Sequence, residues 1–193
     1  MYEYLKGKIA EISPAHTVLD VNQVGYFINI SLHTFSQIQK RSETLLYVHE
    51  VIREDAHLLF GFCEKNEREL FRQLISVSGI GSNTARMMLS SLSPIELQSA
   101  IVTGQVDLLK SIKGIGLKTA QRVVVELKDK LGKSSVDDNF LTLSNNTVRE
   151  EALSALVMLG FQKINSQKIV DKLLAEQPKS AVESVIKMAL KML

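Results

Sequence analysis

Two Gly-Ile-Gly tripeptides are the residues of this chain whose types and spacing point most directly to chemistry. They lie at positions 79–81 and 114–116, and each separates two apolar, helix-like runs. Glycine permits a positive φ in a tight turn and lets a ligand approach the backbone closely. The N–H groups that begin the next helix lack acceptors and lie at the positive end of the helix dipole. This arrangement predicts capture of an anion such as a duplex phosphate by a helix-hairpin-helix turn.

The residues after each turn extend the prediction. One such turn is weak evidence, because Gly-rich helix breaks are common, but two copies 35 positions apart, each followed by Thr-Ala and an Arg, indicate a binding unit. Lys118 and Arg122 are four residues apart and share one helix face, beside the expected phosphate. Backbone amides and basic side chains contact phosphates rather than base edges, so the predicted binding is independent of sequence. The predicted DNA-binding residues are Gly79, Gly81, Asn83, Thr84, Arg86, Gly114, Gly116, Lys118, Thr119 and Arg122.

Catalytic and metal sites are less well supported by the sequence. Glu54 and Asp55 lie between two apolar strands, so we expect them at an exposed hairpin tip, where adjacent carboxylates diverge and make a poor acid-base pair. The sequence at 116–119 is not an ATP-binding loop, since it follows a helix and its spacing is off by one. The four histidines show no ligand spacing with Cys63, which we interpret as a structural thiol. We therefore expect a binding protein without a metal ion or cofactor.

Charge is distributed unevenly along the 193 residues. The net charge is +2, but residues 63–133 carry eleven basic and seven acidic side chains, whereas residues 1–62 carry five and seven. The excess positive charge coincides with the two turns and favours a polyanion. The single cysteine excludes an internal disulfide, and the absence of a signal pattern and of a membrane-length apolar run leads us to expect a cytoplasmic protein with no membrane association.

Periodicity divides the chain into four segments and predicts an α+β, multidomain protein. Residues 1–62 contain about five short strands, at 2–9, 18–21, 25–32, 45–52 and 57–62, which indicate an OB-like β-barrel. Residues 63–133 are helical, with a capping box at 93–96, and form the tandem helix-hairpin-helix domain. Residues 134–146 are rich in Ser, Asn and Asp and are predicted to be a flexible linker, although the apolar run 140–143 has no assignment. Residues 147–193, with a capping box at 147–150, predict a three-helix, ubiquitin-associated-like bundle.

The order of these segments resembles the RuvA family of bacterial Holliday junction-binding proteins. The resemblance covers the whole chain. It rests on Val24-Gly25-Tyr26, on the run from Val51 to Phe62 that includes Arg53-Glu54-Asp55-Ala56, on the two Gly-Ile-Gly hairpins and on Lys118-Thr119-Ala120-Gln121-Arg122, followed by a linker and a three-helix tail.

The resemblance implies a non-catalytic subunit for recombination and repair. Four copies would form a flat tetramer, or two tetramers an octamer, whose basic face binds four-way DNA through the hairpins. Glu54 and Asp55 would be acidic pins at the crossover. The C-terminal domain would dock the hexameric ATPase RuvB, which drives branch migration, through Leu156, Leu159 and Phe161. The RuvC resolvase is a further implied partner.

The chain departs from the family pattern at both turns. Ser82 and Asn83 stand where the family often has a basic residue, and Leu117 stands where lysine is frequent. Two other classes remain open from the residues: a helix-hairpin-helix DNA repair enzyme and a single-strand-binding OB protein. The first would need a catalytic Asp or Lys soon after the hairpin. The second would need exposed aromatic side chains on its strands.

Overall fold

The N-terminal strands close into a barrel in the computed structural model of the chain, which describes residues 2–137, 144–177 and 180–193. The strands are β1 (Tyr4–Ile12), β2 (His16–Val21), β3 (Val24–Ile30), β4 (Glu43–Ile52) and β5 (His57–Phe62). Their order around the barrel is β1-β2-β3-β5-β4, and only the β3–β5 pair is parallel. Alternate residues such as Leu19, Ile28 and Leu46 point inward and are fully buried, as period-2 strands require. The predicted five-stranded OB-like barrel is confirmed.

A short helix between β3 and β4 was not predicted. The third strand ends at Ile30 rather than at residue 32, and α1 (Leu32–Ile38) follows it. The Ser31 side chain accepts a hydrogen bond from the Thr34 amide and so caps this helix. This helix has only seven residues, and so short a segment contains too few apolar residues for helical periodicity to be recognised in the sequence.

Five helices build the helix-hairpin-helix segment. They are α2 (Lys65–Ser76), α3 (Ser82–Ser91), α4 (Pro94–Val102), α5 (Val106–Lys110) and α6 (Leu117–Asp137). The predicted capping box is present at Ser93 and Glu96, with Pro94 in the first turn. Phe60 and Phe62 of the barrel belong to the helical core, with ring centroids 5.2 and 5.0 Å from that of Phe71. The barrel keeps an apolar core of its own, and these two residues of β5 join the helical core, within one compact unit that spans residues 1–138.

Two buried charged residues on α2 also tie the helices to the barrel. Glu67 accepts hydrogen bonds from the hydroxyls of Ser31 (2.5 Å) and Thr34 (2.8 Å). Arg68 donates to the Glu3 carbonyl at 2.8 Å and to the Glu3 carboxylate at 2.5 Å. Because buried polar groups without partners are costly, these contacts favour the packing of α2 against the barrel.

The linker predicted at 134–146 is shorter in the structure. Helix α6 continues to Asp137, and the next helix, α7 (Ser144–Met158), begins three residues before Thr147. The capping box predicted at 147–150 is therefore wrong, since Thr147 lies inside a helix. The unassigned run Phe140–Leu143 falls outside the described residues.

The C-terminal unit is a three-helix bundle, as predicted. Helix α7 is followed by α8 (Lys163–Glu176) and α9 (Val182–Ala189). Gly160 terminates α7 with a φ of 97°, a left-handed conformation that favours glycine. Arg149 of α7 forms a two-point ion pair with Asp171 of α8, at 2.5 and 2.9 Å. This pair holds the first two helices together around a small apolar core.

Candidate nucleic-acid interface

The two Gly-Ile-Gly turns have matching backbone geometry. Gly79 and Gly114 adopt φ values of 94° and 90°, which residues with a side chain rarely adopt. Ile80 and Ile115, the central residues of the turns, are each only 5% exposed and lie in the helical core. Their amides donate to the carbonyls of Val77 and Ile112, both at 3.0 Å. The internal repeat predicted from the sequence is therefore a structural repeat.

The second glycine of each turn lies immediately before a helix. The first i to i−4 bond of α3 runs from the Ala85 amide to the Gly81 carbonyl at 2.9 Å, and Ala120 donates to Gly116 at the same distance at the start of α6. The amides between these residues therefore have no intrahelical acceptor. No side chain caps α3. Each turn offers a set of N–H donors to an anion.

The glycines of both turns are surrounded by open space. A Cβ atom built on Gly79, Gly81, Gly114 or Gly116 would meet nothing within 4 Å. Gly81 has a φ of −86°, and Gly116 is not among the glycines with positive φ. Neither packing nor backbone strain within the chain therefore requires glycine at 81 and 116. A partner that contacts the backbone there would explain why no side chain is present.

The polar residues that follow the turns lie at equivalent positions. Asn83 and Lys118 are exposed, and Thr84 and Thr119 are half-buried, one position further along α3 and α6. The structure thus brings four of the predicted residues next to the free amides. The cationic side chain is present only at the second turn.

The two arginines that follow the turns are not equivalent, although each comes shortly after a Thr-Ala pair. Arg86 lies seven positions after Gly79, whereas Arg122 lies eight positions after Gly114, a difference of about 100° around a helix. Arg86 donates to the Ala15 carbonyl at 2.7 Å and to Asn29 Oδ1 at 3.3 Å on the barrel. Burial lowers the pKa of its guanidinium. The structure therefore places Arg86 at the junction of α3 and the barrel.

Arg122 also makes a contact within the protein. Its Nη1 atom donates to the carbonyl of Ser78, at 3.0 Å, in the loop that leads into the first turn. The second hairpin's helix is thereby linked to the first hairpin. Sequence spacing did not reveal this bond, because its partners lie 44 residues apart.

Glu54 and Asp55 lie at the tip of the β4–β5 hairpin, as expected. Ile52 and His57 form the last pair of the ladder, and the Arg53 amide donates to the Ala56 carbonyl at 2.8 Å. Both carboxylates are exposed, and neither forms an ion pair within the part of the chain that the structure describes. Next to the tip, where β5 begins, His57 Nε2 lies 2.5 Å from Glu50 Oε1 of β4. The sequence analysis missed this pair.

The three predicted docking residues have different environments. Leu156 is fully buried in the core of the bundle, which corrects its expected role as a surface contact. Phe161 packs against that core and is half-buried, whereas Leu159 is 60% exposed. Met158 and Ile164, which were not predicted, are 85% and 70% exposed. A groove of about 330 Å³ lies beside them, lined by Glu150, Leu153, Ser154, Val157, Met158 and Lys163.

The remaining candidates from the sequence are readily placed. Cys63 is half-buried, and burial raises the pKa of its thiol to about 11, which suits a structural residue. Within residues 2–137, 144–177 and 180–193, no three His, Cys, Asp or Glu side chains converge as a metal site would require. No helix in the same ranges is long and apolar enough to cross a membrane.

Comparisons with known proteins agree with this architecture. Residues 1–61 match the RuvA N terminal domain model, residues 71–129 the SAM-like helix-hairpin-helix tandem, and residues 147–193 the RuvA C-terminal domain. The chain is 53% identical to a protein of Christiangramia forsetii and 55% identical to one of Bacteroides fragilis, over 100% of both chains in each case. It is 48% identical to a protein of Flavobacterium psychrophilum over 99% of both chains. Each of these relatives is named Holliday junction branch migration complex subunit RuvA. With barrel, paired hairpins and C-terminal bundle matched in order along its whole length, this chain belongs to the RuvA family.

Proposed function

We propose that this chain binds four-way DNA junctions by their backbones and acts, without a catalytic site of its own, in a branch-migration complex. The observation that carries the proposal is the pair of glycine turns with free amides and open space above them. Membership of a family whose named relatives are branch-migration subunits supports the same function. No observation of comparable weight supports the other two classes, a helix-hairpin-helix DNA repair enzyme and a single-strand-binding OB protein.

Each turn binds one phosphate through its amides. Asn83 adds a neutral hydrogen-bonding group at the first turn, and Lys118 adds a positive charge at the second. These groups contact phosphates and not base edges. Binding therefore depends on the shape of the DNA and not on its sequence. Arg86 and Arg122 act mainly by holding the hairpins at a fixed position, because their guanidinium groups already bond carbonyls of the protein.

Glu54 and Asp55 serve as the acidic pins at the crossover. Their exposure at a narrow hairpin tip supports this role, since two unpaired carboxylates repel phosphates that approach them. The strands of the junction are then directed into separate arms.

Four copies assemble into a tetramer, with an octamer of two tetramers as the alternative. A four-way junction has four arms, and closed symmetry would give each arm an equivalent pair of hairpins. Measurement of mass by light scattering, with and without junction DNA, tests this assembly.

The bundle at 147–193 docks the hexameric ATPase RuvB. Leu159, Met158 and Ile164 form an exposed apolar patch beside a groove that also carries Glu150 and Lys163, a combination typical of protein-binding surfaces. The functional units that we propose are the barrel at residues 1–62, the hairpin domain that ends with α6, a linker between α6 and α7, and the C-terminal bundle that begins with α7.

A gel-shift assay tests the main proposal. At one fixed salt concentration, four-way DNA should bind more tightly than duplex or single-stranded DNA of the same sequences. Equal affinity for all three would contradict it. Tighter binding of single strands would instead support a single-strand-binding OB protein.

A further inference from the structure

The residue that begins α6 is an exposed leucine at the second turn. Leu117 is 47% exposed and belongs to none of the apolar cores found in the described part of the chain. Ser82, the equivalent residue of the first turn, is only 6% exposed. The two turns therefore share a backbone geometry but present different surfaces to a ligand.

The direction of its side chain follows from helix geometry. Every Cα–Cβ bond of an α-helix is tilted toward the helix N-terminus. Leu117 is the first helical residue, so its side chain leans toward the turn and its free amides. A Cβ atom built on Gly114 or Gly116 would meet nothing within 4 Å, so the space beside this turn is open. A strand whose phosphate binds the amides of this turn would therefore pass close to Leu117.

The chemistry of the contact follows from what lies next to a backbone phosphate. The neighbouring group is a deoxyribose, whose C–H edge is apolar, and Lys118 already supplies the cation at this turn. An isobutyl side chain cannot neutralise a phosphate, but it can remove sugar surface from water.

We propose that Leu117 packs on the deoxyribose of the strand bound at the second hairpin and gives that hairpin a contact whose strength is independent of salt. The inference rests on the proposed function of the hairpins. According to this inference, an apolar contact contributes to the affinity of the second turn for DNA. At the first turn, Ser82 and Asn83 offer polar contacts only.

The experiment measures junction affinity of the full chain from low to high salt. Leu117→Ala should weaken binding by about threefold or more, by the same factor at every salt concentration, because it removes apolar contact area but no charge. Leu117→Met keeps that area and should bind like the wild type. Leu117→Lys should steepen the slope of log affinity against log salt by about 0.9 for each phosphate that it neutralises. Ile95→Ala, an apolar truncation at an exposed site outside both turns, is the matched control.

Three results would overturn the inference: wild-type affinity of Leu117→Ala, a changed salt slope in that variant, or a loss of affinity accompanied by a changed oligomer mass. Lys118→Ala, measured in parallel, separates this failure from failure of the proposed function. If Lys118→Ala shallows the slope while Leu117→Ala binds normally, only the sugar contact is refuted. If neither variant changes affinity or slope, phosphate binding by the second hairpin is refuted as well.

Discussion

Arg122 and Ser78 connect the two hairpins: the guanidinium on α6 donates a 3.0 Å hydrogen bond to the carbonyl that precedes the first turn. This bond ties α6 to the loop before the first turn, and we propose that it helps to hold the two turns at a fixed spacing. Two phosphates of one DNA arm can bind together only if that spacing matches the backbone. Arg122 thus has a role within the protein that is distinct from the role of Lys118.

The two basic residues should respond differently to truncation. Lys118→Ala should shallow the salt slope of junction binding by about 0.9 for each phosphate that the lysine neutralises in the wild type. Arg122→Ala should weaken binding with a smaller change in slope, because its main partner is a protein carbonyl. Lys128→Ala, on the same helix, is the matched control. Equal slope changes for Lys118→Ala and Arg122→Ala would assign both residues to phosphates.

Replacing each glycine of the second turn by threonine should distinguish effects on the stability of the fold from effects on DNA binding. Gly116→Thr should change the free energy of unfolding by less than about 1 kcal/mol, because threonine is an acceptable N-cap, yet it should weaken junction binding at least about tenfold by blocking the amides. Gly114→Thr should also destabilise the fold, by about 2 kcal/mol, because a β-branched residue must adopt a φ near 90°. Urea unfolding and gel shifts measure the two effects. Normal junction binding by a folded Gly116→Thr variant would contradict close approach of the DNA.

Neutralising the hairpin tip tests the acidic pins. Glu54→Gln combined with Asp55→Asn should preserve or tighten binding to four-way DNA, since repulsion of phosphates is removed. It should also reduce the preference for four-way over duplex DNA, because a continuous duplex can then cross the centre. Affinities for both DNAs at one salt concentration give the selectivity ratio, and cleavage is assayed alongside. An unchanged ratio would indicate a solvated turn, and loss of a Mg²⁺-dependent cleavage would indicate catalysis.

The bundle offers a matched pair of leucines. Leu159→Ser should abolish most stimulation of the partner ATPase while the bundle stays folded, because the side chain is largely exposed. Leu156→Ala should instead cost about 2 to 5 kcal/mol of stability, as for other buried leucines. Amide dispersion by NMR reports folding, and ATP hydrolysis reports docking. Neither variant should alter junction binding. Full ATPase stimulation by Leu159→Ser would move the docking surface elsewhere.

Glu67 should make stability depend on pH. Burial raises the pKa of its carboxyl above the ordinary value near 4.5, so the folded state keeps the proton at a pH where the unfolded chain has lost it. Ionisation therefore costs the folded state free energy as the pH rises from about 4.5 through the raised pKa. Relative to Glu67→Gln, the wild type should lose stability across that window in urea titrations. A constant difference between wild type and Glu67→Gln would contradict the raised pKa.

Local patterns in the sequence determined the features that depend on neighbouring residues. The positive φ at Gly79 and Gly114 follows from glycine in a tight turn, and the cap at Ser93 follows from a serine three residues before a glutamate. Alternating and helical periodicities likewise predicted the barrel, the paired hairpins and the bundle, because each is a repeat over a few residues. The missed helix α1 and the misplaced start of α7 lie where that periodicity is short or weak.

Tertiary structure alone decided which side chains are exposed and which already bond other groups of the protein. Arg86 and Arg122 both follow a Thr-Ala pair, yet one bonds a carbonyl of the barrel 71 residues away and the other a carbonyl 44 residues away. Leu156 and Leu159 are three residues apart, but the packing of α8 and α9 buries the first and leaves the second in solvent. Such contacts depend on how distant elements meet, and that arrangement is set by the whole core rather than by local spacing.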